Sequence, residues 1–359
     1  MSAKQSVLNC GKDFELPNAL VKQLTEWYNQ NARDFAFRKN NTPYNVWVSE
    51  IMSQQTRMAQ MTDYYERFIE AFPDAAVLAA ADLADVLKLW EGLGYYSRAK
   101  NLHKTAKILM DEFGGEFPSD YTQLRKLPGF GDYTAGAVAS NCFNQAAPAV
   151  DGNVLRVTAR LAALECDISE SSAKKYVREL LLPLYNNTQK RGLLTQSLIE
   201  LGALVCIPRT PKCNVCPVKA FCKAHALKIA EILPVKSSKK KTRTEKLTVF
   251  ILKNADTYCV QKRPDKGLLA GLYQFPNTKG HLEICEAHSY INHLGFCNVD
   301  FKGVKTDRHI FSHIIWDMRI YKFETACMDN SGFNNAHPFT FSPLSAIPLP
   351  TAFKKLVID

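Results

Sequence analysis

The 359-residue sequence predicts a two-domain protein, an all-α domain followed by an α+β domain. Three observations carry that expectation. From about residue 15 to 230, apolar positions recur at intervals of three and four, the spacing of amphipathic helices. After Lys246 the texture changes to short β-rich runs. Between them, residues 236–246 hold six cations and one acid, and a stretch that polar has little to bury and reads as a linker. It either touches the phosphates of a polyanion or is simply solvated. The expected division is a helical domain over 1–232, a basic linker over 233–246 and a mixed domain over 247–359, each domain long enough for its own core.

In the first domain, Pro73, Gly92–Gly94, Gly114-Gly115, Pro128-Gly129 and Pro183 mark breaks between helices. Thr42-Pro43 reads as an N-cap and first residue for a helix over Tyr44–Thr56. Leu127–Gly131 separates helical segments at Asp120–Lys126 and about Tyr133–Cys142. Gly129 and Gly131 free this turn to present bare amides at a helix N-terminus, an anion site that grips backbone phosphate. In the second domain, Leu247–Leu252 and Tyr258–Lys262 read as strands joined by a turn at Asn254–Asp256, with another strand-rich run over His313–Tyr321.

Composition narrows the function. Hydrophobic residues make up 46% and charged residues 22%, ordinary for a globular chain. A net charge of +10 favours a polyanionic partner such as nucleic acid. No apolar run approaches the length of a membrane span, so no membrane role is expected. Eleven cysteines, an odd number, and no apolar N-terminal signal region fit a reducing interior compartment.

Four of those cysteines, Cys206, Cys213, Cys216 and Cys222, form a C-x6-C-x2-C-x5-C run within 17 residues. The spacing lets the chain circle back while the tight pair takes adjacent corners of a [4Fe–4S] cube. Four thiolates also suit tetrahedral zinc, but zinc ribbons usually pair two C-x2-C knuckles and only one is present. Arg209 and Lys212 lie between the first two cysteines, and Lys219 and Lys223 flank the last. The loop therefore either presents cations to phosphate or is merely solvated.

Two carboxylates fall in different settings. Glu50 lies four after Val46 and three after Trp47, on the apolar face of its helix. Desolvation there would raise its pKa toward neutrality, as a general acid requires; a structural pair with an arginine is the other reading. Asp151 opens the helix Gly152–Arg160 as an N-cap and is expected to stay ionised there. A protonated acid and a persistent anion are what cleavage of an N-glycosidic bond needs.

The hairpin Leu127–Gly131, the run Asp151–Val154 and the four-cysteine loop together resemble the helix–hairpin–helix DNA glycosylases of the endonuclease III branch. Pro43–Met52, Gln54–Thr56, Glu91–Arg98 and Phe311–His313 are similar to the MutY adenine DNA glycosylases within that branch, and the likeness runs from about Leu24 to Leu349. The resemblance implies an all-α helix–hairpin–helix glycosylase domain with a [4Fe–4S] loop, followed by an α+β Nudix-like domain. It implies removal of adenine mispaired with 8-oxoguanine or guanine in double-stranded DNA, by a cytoplasmic, nucleoid-associated monomer. Glu50 matches the acid that protonates adenine and Asp151 the carboxylate facing the cationic sugar, with Tyr133 and Asn153 assisting. Tyr133 stands where bifunctional relatives carry a Schiff-base lysine, which implies a monofunctional enzyme.

By the same resemblance, Arg38 and Gln196 line the adenine pocket, and Gln55, Thr56, Leu93 and Tyr95 surround the orphaned base, with Tyr95 as a stacking wedge. Ser312, supported by Phe311 and His313, reads the oxidised guanine. Gly271–Pro276 is similar to the Nudix fold, but the Glu-rich magnesium helix of Nudix hydrolases is missing, so the domain is expected to read without hydrolysing. Ser53 and Phe37 depart from the family pattern, which usually has a larger apolar residue and a tryptophan there. An endonuclease III-like lyase, a silent DNA-binding protein and a ferredoxin fit less well. Tyr133, the paired carboxylates and the basic charge argue against them in turn.

Overall fold

A computed structural model describes residues 14–56, 58–237, 242–296, 298–325 and 339–357. In chain order the helices before the sheet are α1 (Ala19–Asn31), α2 (Pro43–Ser53), α3 (Met58–Ala71), α4 (Ala75–Ala80), α5 (Leu83–Leu89), α6 (Ser97–Phe113), α7 (Tyr121–Leu124), α8 (Asp132–Phe143), α9 (Gly152–Leu161), α10 (Ser171–Asn186), α11 (Arg191–Leu204) and α12 (Lys223–Ala226). Residues 14–80 and 101–237 form one compact unit. Residues 81–100, which the sequence placed with the helical domain, cluster with the C-terminal residues in the second.

Helix α2 begins as expected. Thr42 Oγ1 accepts from the Asn45 amide at 3.2 Å, and Pro43 holds the first helical position, where its missing N–H is no loss. It ends at Ser53, short of the expected Thr56, and Gln55 then takes a left-handed φ of 58°. Tyr44–Ser49, Ile51 and Met52 are all buried, polar Asn45 and Ser49 included, so α2 is a core helix buried on every side rather than on one face. Pro183 does not mark a loop: it lies in the last turn of α10, where one lost N–H bond is tolerated and the Asn187 amide still reaches the Pro183 carbonyl. A core of Leu20, Leu24, Val154, Leu181, Leu198 and their neighbours binds α1, α9, α10 and α11.

The second unit is built on a mixed sheet of β1 (Arg243–Asn254), β2 (Thr257–Lys262), β3 (Tyr273–Gln274), β4 (Asn277–Lys279), β5 (Val299–Ile310), β6 (Ile314–Thr325) and β7 (Phe339–Ser342), with helix α13 (Ile284–His293) before β5 and α14 (Thr351–Lys354) after β7. The order is β3-β2-β1-β6-β5, with β4 on β1 and β7 on β2. Strand β1 runs parallel to β6 from Arg243↔Ile314 to Lys253↔Glu324. The end of the expected linker is therefore strand, its charges carried on a backbone that β6 pairs; residues 238–241 lie outside the described residues. Alternate residues of β1 feed two cores. Val249 and Ile251 join Trp316 and Phe353 on one face, and Phe250 and Leu252 join Ile291 and Phe323 on the other.

Candidate active site

The first unit opens a cleft of about 1190 Å³ lined by α2, the Leu127–Gly131 hairpin and the N-terminal ends of α8 and α9. Into it the fold brings Arg38, Glu50, Gln55, Thr56, Gly129, Gly131, Tyr133, Asp151, Asn153 and Gln196, residues that lie up to about 160 positions apart in the chain.

Tyr133, in the first turn of α8, donates its hydroxyl to Glu50 Oε2 at 2.5 Å. Burial drives the Glu50 carboxyl up to about 7; the Tyr133 bond opposes this, the Asp151 charge adds to it, and Arg38 pulls the other way. With Oε2 occupied, Oε1 is the oxygen that can present a proton to the cleft. Asp151 caps α9. Its Oδ1 accepts from the Val154 amide at 2.7 Å and its Oδ2 from Asn153 Nδ2 at 2.8 Å. Despite those bonds, burial raises its pKa above the ordinary value. Helix capping therefore offsets only part of the desolvation that opposes the ionised form expected at this cap.

Asn153 is itself held. Its Oδ1 accepts from Arg156 Nη2 at 2.9 Å, and Arg156 also donates to the carbonyls of Gly202 and Cys206, each at 2.8 Å. A Cβ on Gly202 would come within 2.6 Å of Asn153 Cβ, so the bare glycine lets α11 lie against the N-terminus of α9. Sequence reasoning missed both residues, although Arg156 stands one helical turn after Asn153.

It also missed Glu200. This fully buried carboxylate takes Arg33 Nε at 2.6 Å and Arg38 Nη2 at 2.8 Å. Burial alone would raise its pKa; the two guanidinium bonds outweigh that and hold it at about 2. Arg38 lines the cleft while bonded to Glu200 and the Arg33 carbonyl, with its guanidinium 5.1 Å from the Phe35 ring centre and 6.0 Å from that of Phe37. Glu200 lies four residues after Gln196, on the same face of α11, which is the only signal the sequence offered.

The hairpin has the expected form. Gly129 adopts φ +80°, and a Cβ there would meet Asn101 Cβ at 2.9 Å; Gly131 precedes α8 with no side-chain cap on the first amides. An exposed acid not foreseen, Asp132, sits beside them, bridged to Arg125 and Arg178.

The four cysteines surround one small pocket of about 20 Å³. Among the described residues, no three His, Cys, Asp or Glu side chains are placed to hold a single ion. Burial pushes the Cys216 thiol up to about 12 and raises Cys213 and Cys222, and the charges of the neighbouring sulfurs add to the rise. Buried Arg160 donates to Cys206 Sγ at 3.4 Å and leaves its Nη2 without a partner. Arg209, at φ 64°, and Lys212 are exposed on this loop.

The remaining predicted residues belong to the second unit. Leu93 is buried rather than displayed, while Tyr95 is 44% exposed in a left-handed conformation at φ 47°. Ser312 and His313 are exposed at the β5–β6 turn, and Ser312 Oγ lies 2.6 Å from Tyr95 Oη. Phe311 packs edge-on to Trp316 at 4.9 Å.

Comparison with known proteins agrees with this architecture. Residues 48–183 match the family model of the HhH-GPD superfamily base excision DNA repair proteins, and residues 248–359 that of the NUDIX domain. The adenine DNA glycosylase of Buchnera aphidicola subsp. Schizaphis graminum is 34% identical over 296 residues, 81% of this chain and 83% of that one. That of Mus musculus is 31% identical over 420 aligned residues, covering 99% and 80%. Among solved structures, a thermostable thymine-DNA glycosylase superposes with a TM-score of 0.51 at 25% identity, over 58% of this chain and 96% of its own. With a helix–hairpin–helix glycosylase domain and a Nudix-like domain in one chain, this protein belongs to the adenine DNA glycosylase family of base excision repair enzymes.

Proposed function

We propose that the chain excises adenine mispaired with 8-oxoguanine or guanine from double-stranded DNA, as a monofunctional glycosylase. The observation that carries this reading is the Tyr133–Glu50 hydrogen bond set beside the capped Asp151 in one cleft. Adenine flipped into the cleft would meet Glu50, protonated at neutral pH in a large fraction of molecules. As the N-glycosidic bond breaks, its electron pair leaves with the base, which takes the Glu50 proton. The sugar cation then faces Asp151, whose ionised form that cation favours. Water adds to the sugar, and its proton passes to a carboxylate. A tyrosine at 133 forms no imine, so the strand is left intact.

The cysteine pocket fits a polynuclear iron–sulfur group better than one zinc ion. Its donors are all thiols, they ring one pocket with a single C-x2-C pair among them, and the unpartnered Arg160 N–H stands beside them. Cys206, Cys213, Cys216 and Cys222 would hold a [4Fe–4S] cluster, which when bound cross-links the loop and takes no part in bond cleavage. Arg209 and Lys212 would face phosphate.

The test is single-turnover base release from duplexes with adenine opposite 8-oxoguanine, guanine or thymine, before and after hot alkali. Strand breaks only after alkali, and only opposite the two purines, are expected. Breaks without alkali would overturn the monofunctional reading, and equal release opposite thymine would overturn the mispair specificity.

A further inference from the structure

Among the described residues, two contacts of different chemistry between residues 81–100 and the rest of the second unit stand out. At the base, Lys88 Nζ donates to Glu91 Oε2 at 2.8 Å and to the carbonyls of Leu344 and Ile347 at 3.1 and 2.9 Å. Those three acceptors match the three protons of an ammonium. Glu91, only 7% exposed in its side chain, takes a second cation, Lys354 Nζ, at 2.5 Å. At the tip, Tyr95 Oη meets Ser312 Oγ.

The two ends are linked by packed side chains within that unit. Lys354 follows Phe353, whose buried ring lies 5.5 Å from Trp316; Trp316 packs on Phe311, the residue before Ser312. A carboxylate buried between two ammonium groups has a narrow choice of positions, because leaving either side costs a desolvated charge its partner. The loop after it, Gly92–Gly94, is tied on its far side, where Trp90 Nε1 donates to the Gly94 carbonyl at 3.1 Å and Arg98 Nη2 to the carbonyls of Leu93 and Gly94 at 3.2 and 3.1 Å, so the Glu91 grip fixes the near end of a segment held at both ends.

We propose that Glu91 is a positioning residue for mispair discrimination. By gripping Lys88 and Lys354 it sets the loop that carries Tyr95, so that the tyrosine hydroxyl meets Ser312 and the reading serine is oriented before DNA arrives. This rests on the proposal that Ser312 reads the base opposite adenine.

The experiment compares single-turnover release opposite 8-oxoguanine with release opposite guanine, in the full chain, for wild type, Glu91→Gln, Lys354→Met, Ser312→Ala and Glu91→Gln/Ser312→Ala. Glu91→Gln and Lys354→Met are expected to lower the 8-oxoguanine-to-guanine ratio about fivefold or more while release opposite guanine stays within twofold. In the double variant the ratio should fall no further than in Ser312→Ala alone, a non-additivity that a general loss of stability would not produce. A wild-type ratio in Glu91→Gln and Lys354→Met, with a reduced ratio in Ser312→Ala, overturns the role of Glu91 alone. Additive losses in the double variant overturn it too. A wild-type ratio in Ser312→Ala overturns the reading of Ser312 and the present proposal with it.

Discussion

At the scale of single residues, the candidate chemistry rests on a carboxyl that the fold keeps protonated against its solution preference. Glu50 titrates near 7 instead of 4.5, so the acid form, and base release with it, declines as pH rises through about 7, by roughly tenfold per unit beyond. The same shift has a sign for stability. A pKa raised on folding contributes stability that is fully present below the unfolded value and lost as pH rises through the folded one. The 4.5-to-7 window corresponds to about 3 kcal/mol. Glu50→Gln, which keeps the shape without the charge, is expected to retain duplex binding, to lose base release by about 10² or more, and to melt higher than wild type at pH 8. Unchanged single-turnover release would remove Glu50 from the reaction, and an unchanged melting point at pH 8 would show that its burial costs nothing. Tyr133→Phe removes the bond that favours the charged form. The alkaline limb of its pH–rate profile should therefore move to higher pH, and a shift to lower pH would reverse the assignment of donor and acceptor.

At the scale of elements, what was legible in the sequence is what local patterning dictates. The Thr42-Pro43 start of α2, the Gly129 turn and the Asp151 cap each depend on residues within a few positions of one another, and all three were readable. The cleft's supports were not, because they join distant segments. Arg33 and Arg38 meet Glu200 only when α1 and α11 pack, and Arg156 reaches Cys206 across 50 residues. The setting of Asp151 was half legible for the same reason: the cap is local, but the burial that opposes it is tertiary. Gly202 is the sharpest case. Nothing about it marks the sequence, yet its missing side chain decides how closely α11 approaches Asn153. Gly202→Ala is expected to cost about 1–3 kcal/mol by overpacking and to slow base release by displacing the α9 N-terminus that holds Asp151. Calorimetry and single-turnover kinetics test this together, and a variant with wild-type values in both would mean that α11 can shift without consequence for the site.

At the scale of the whole molecule, the charge of +10 and the pKa-tuned cleft divide two tasks that the candidate residues keep apart. Backbone phosphate carries no sequence information, so groups that grip it should change affinity alike for every mispair. Arg209 and Lys212 are exposed on the cysteine loop, and neither lines the cleft. Each contact to a phosphate releases counterions and contributes about −0.9 to the slope of log affinity against log salt. Arg209→Ala and Lys212→Ala should each lower the slope's magnitude by about 1 and weaken binding to duplexes with 8-oxoguanine, guanine or thymine opposite adenine by a common factor. The ratio of release opposite 8-oxoguanine to that opposite guanine should stay where wild type has it, because both residues belong to the first unit and the proposed reader Ser312 to the second. Fluorescence anisotropy across a salt series reads the slope, and single-turnover kinetics reads the ratio. An unchanged slope would place the loop away from DNA, whereas a changed ratio with an unchanged slope would make these cations readers of the base instead of holders of the strand.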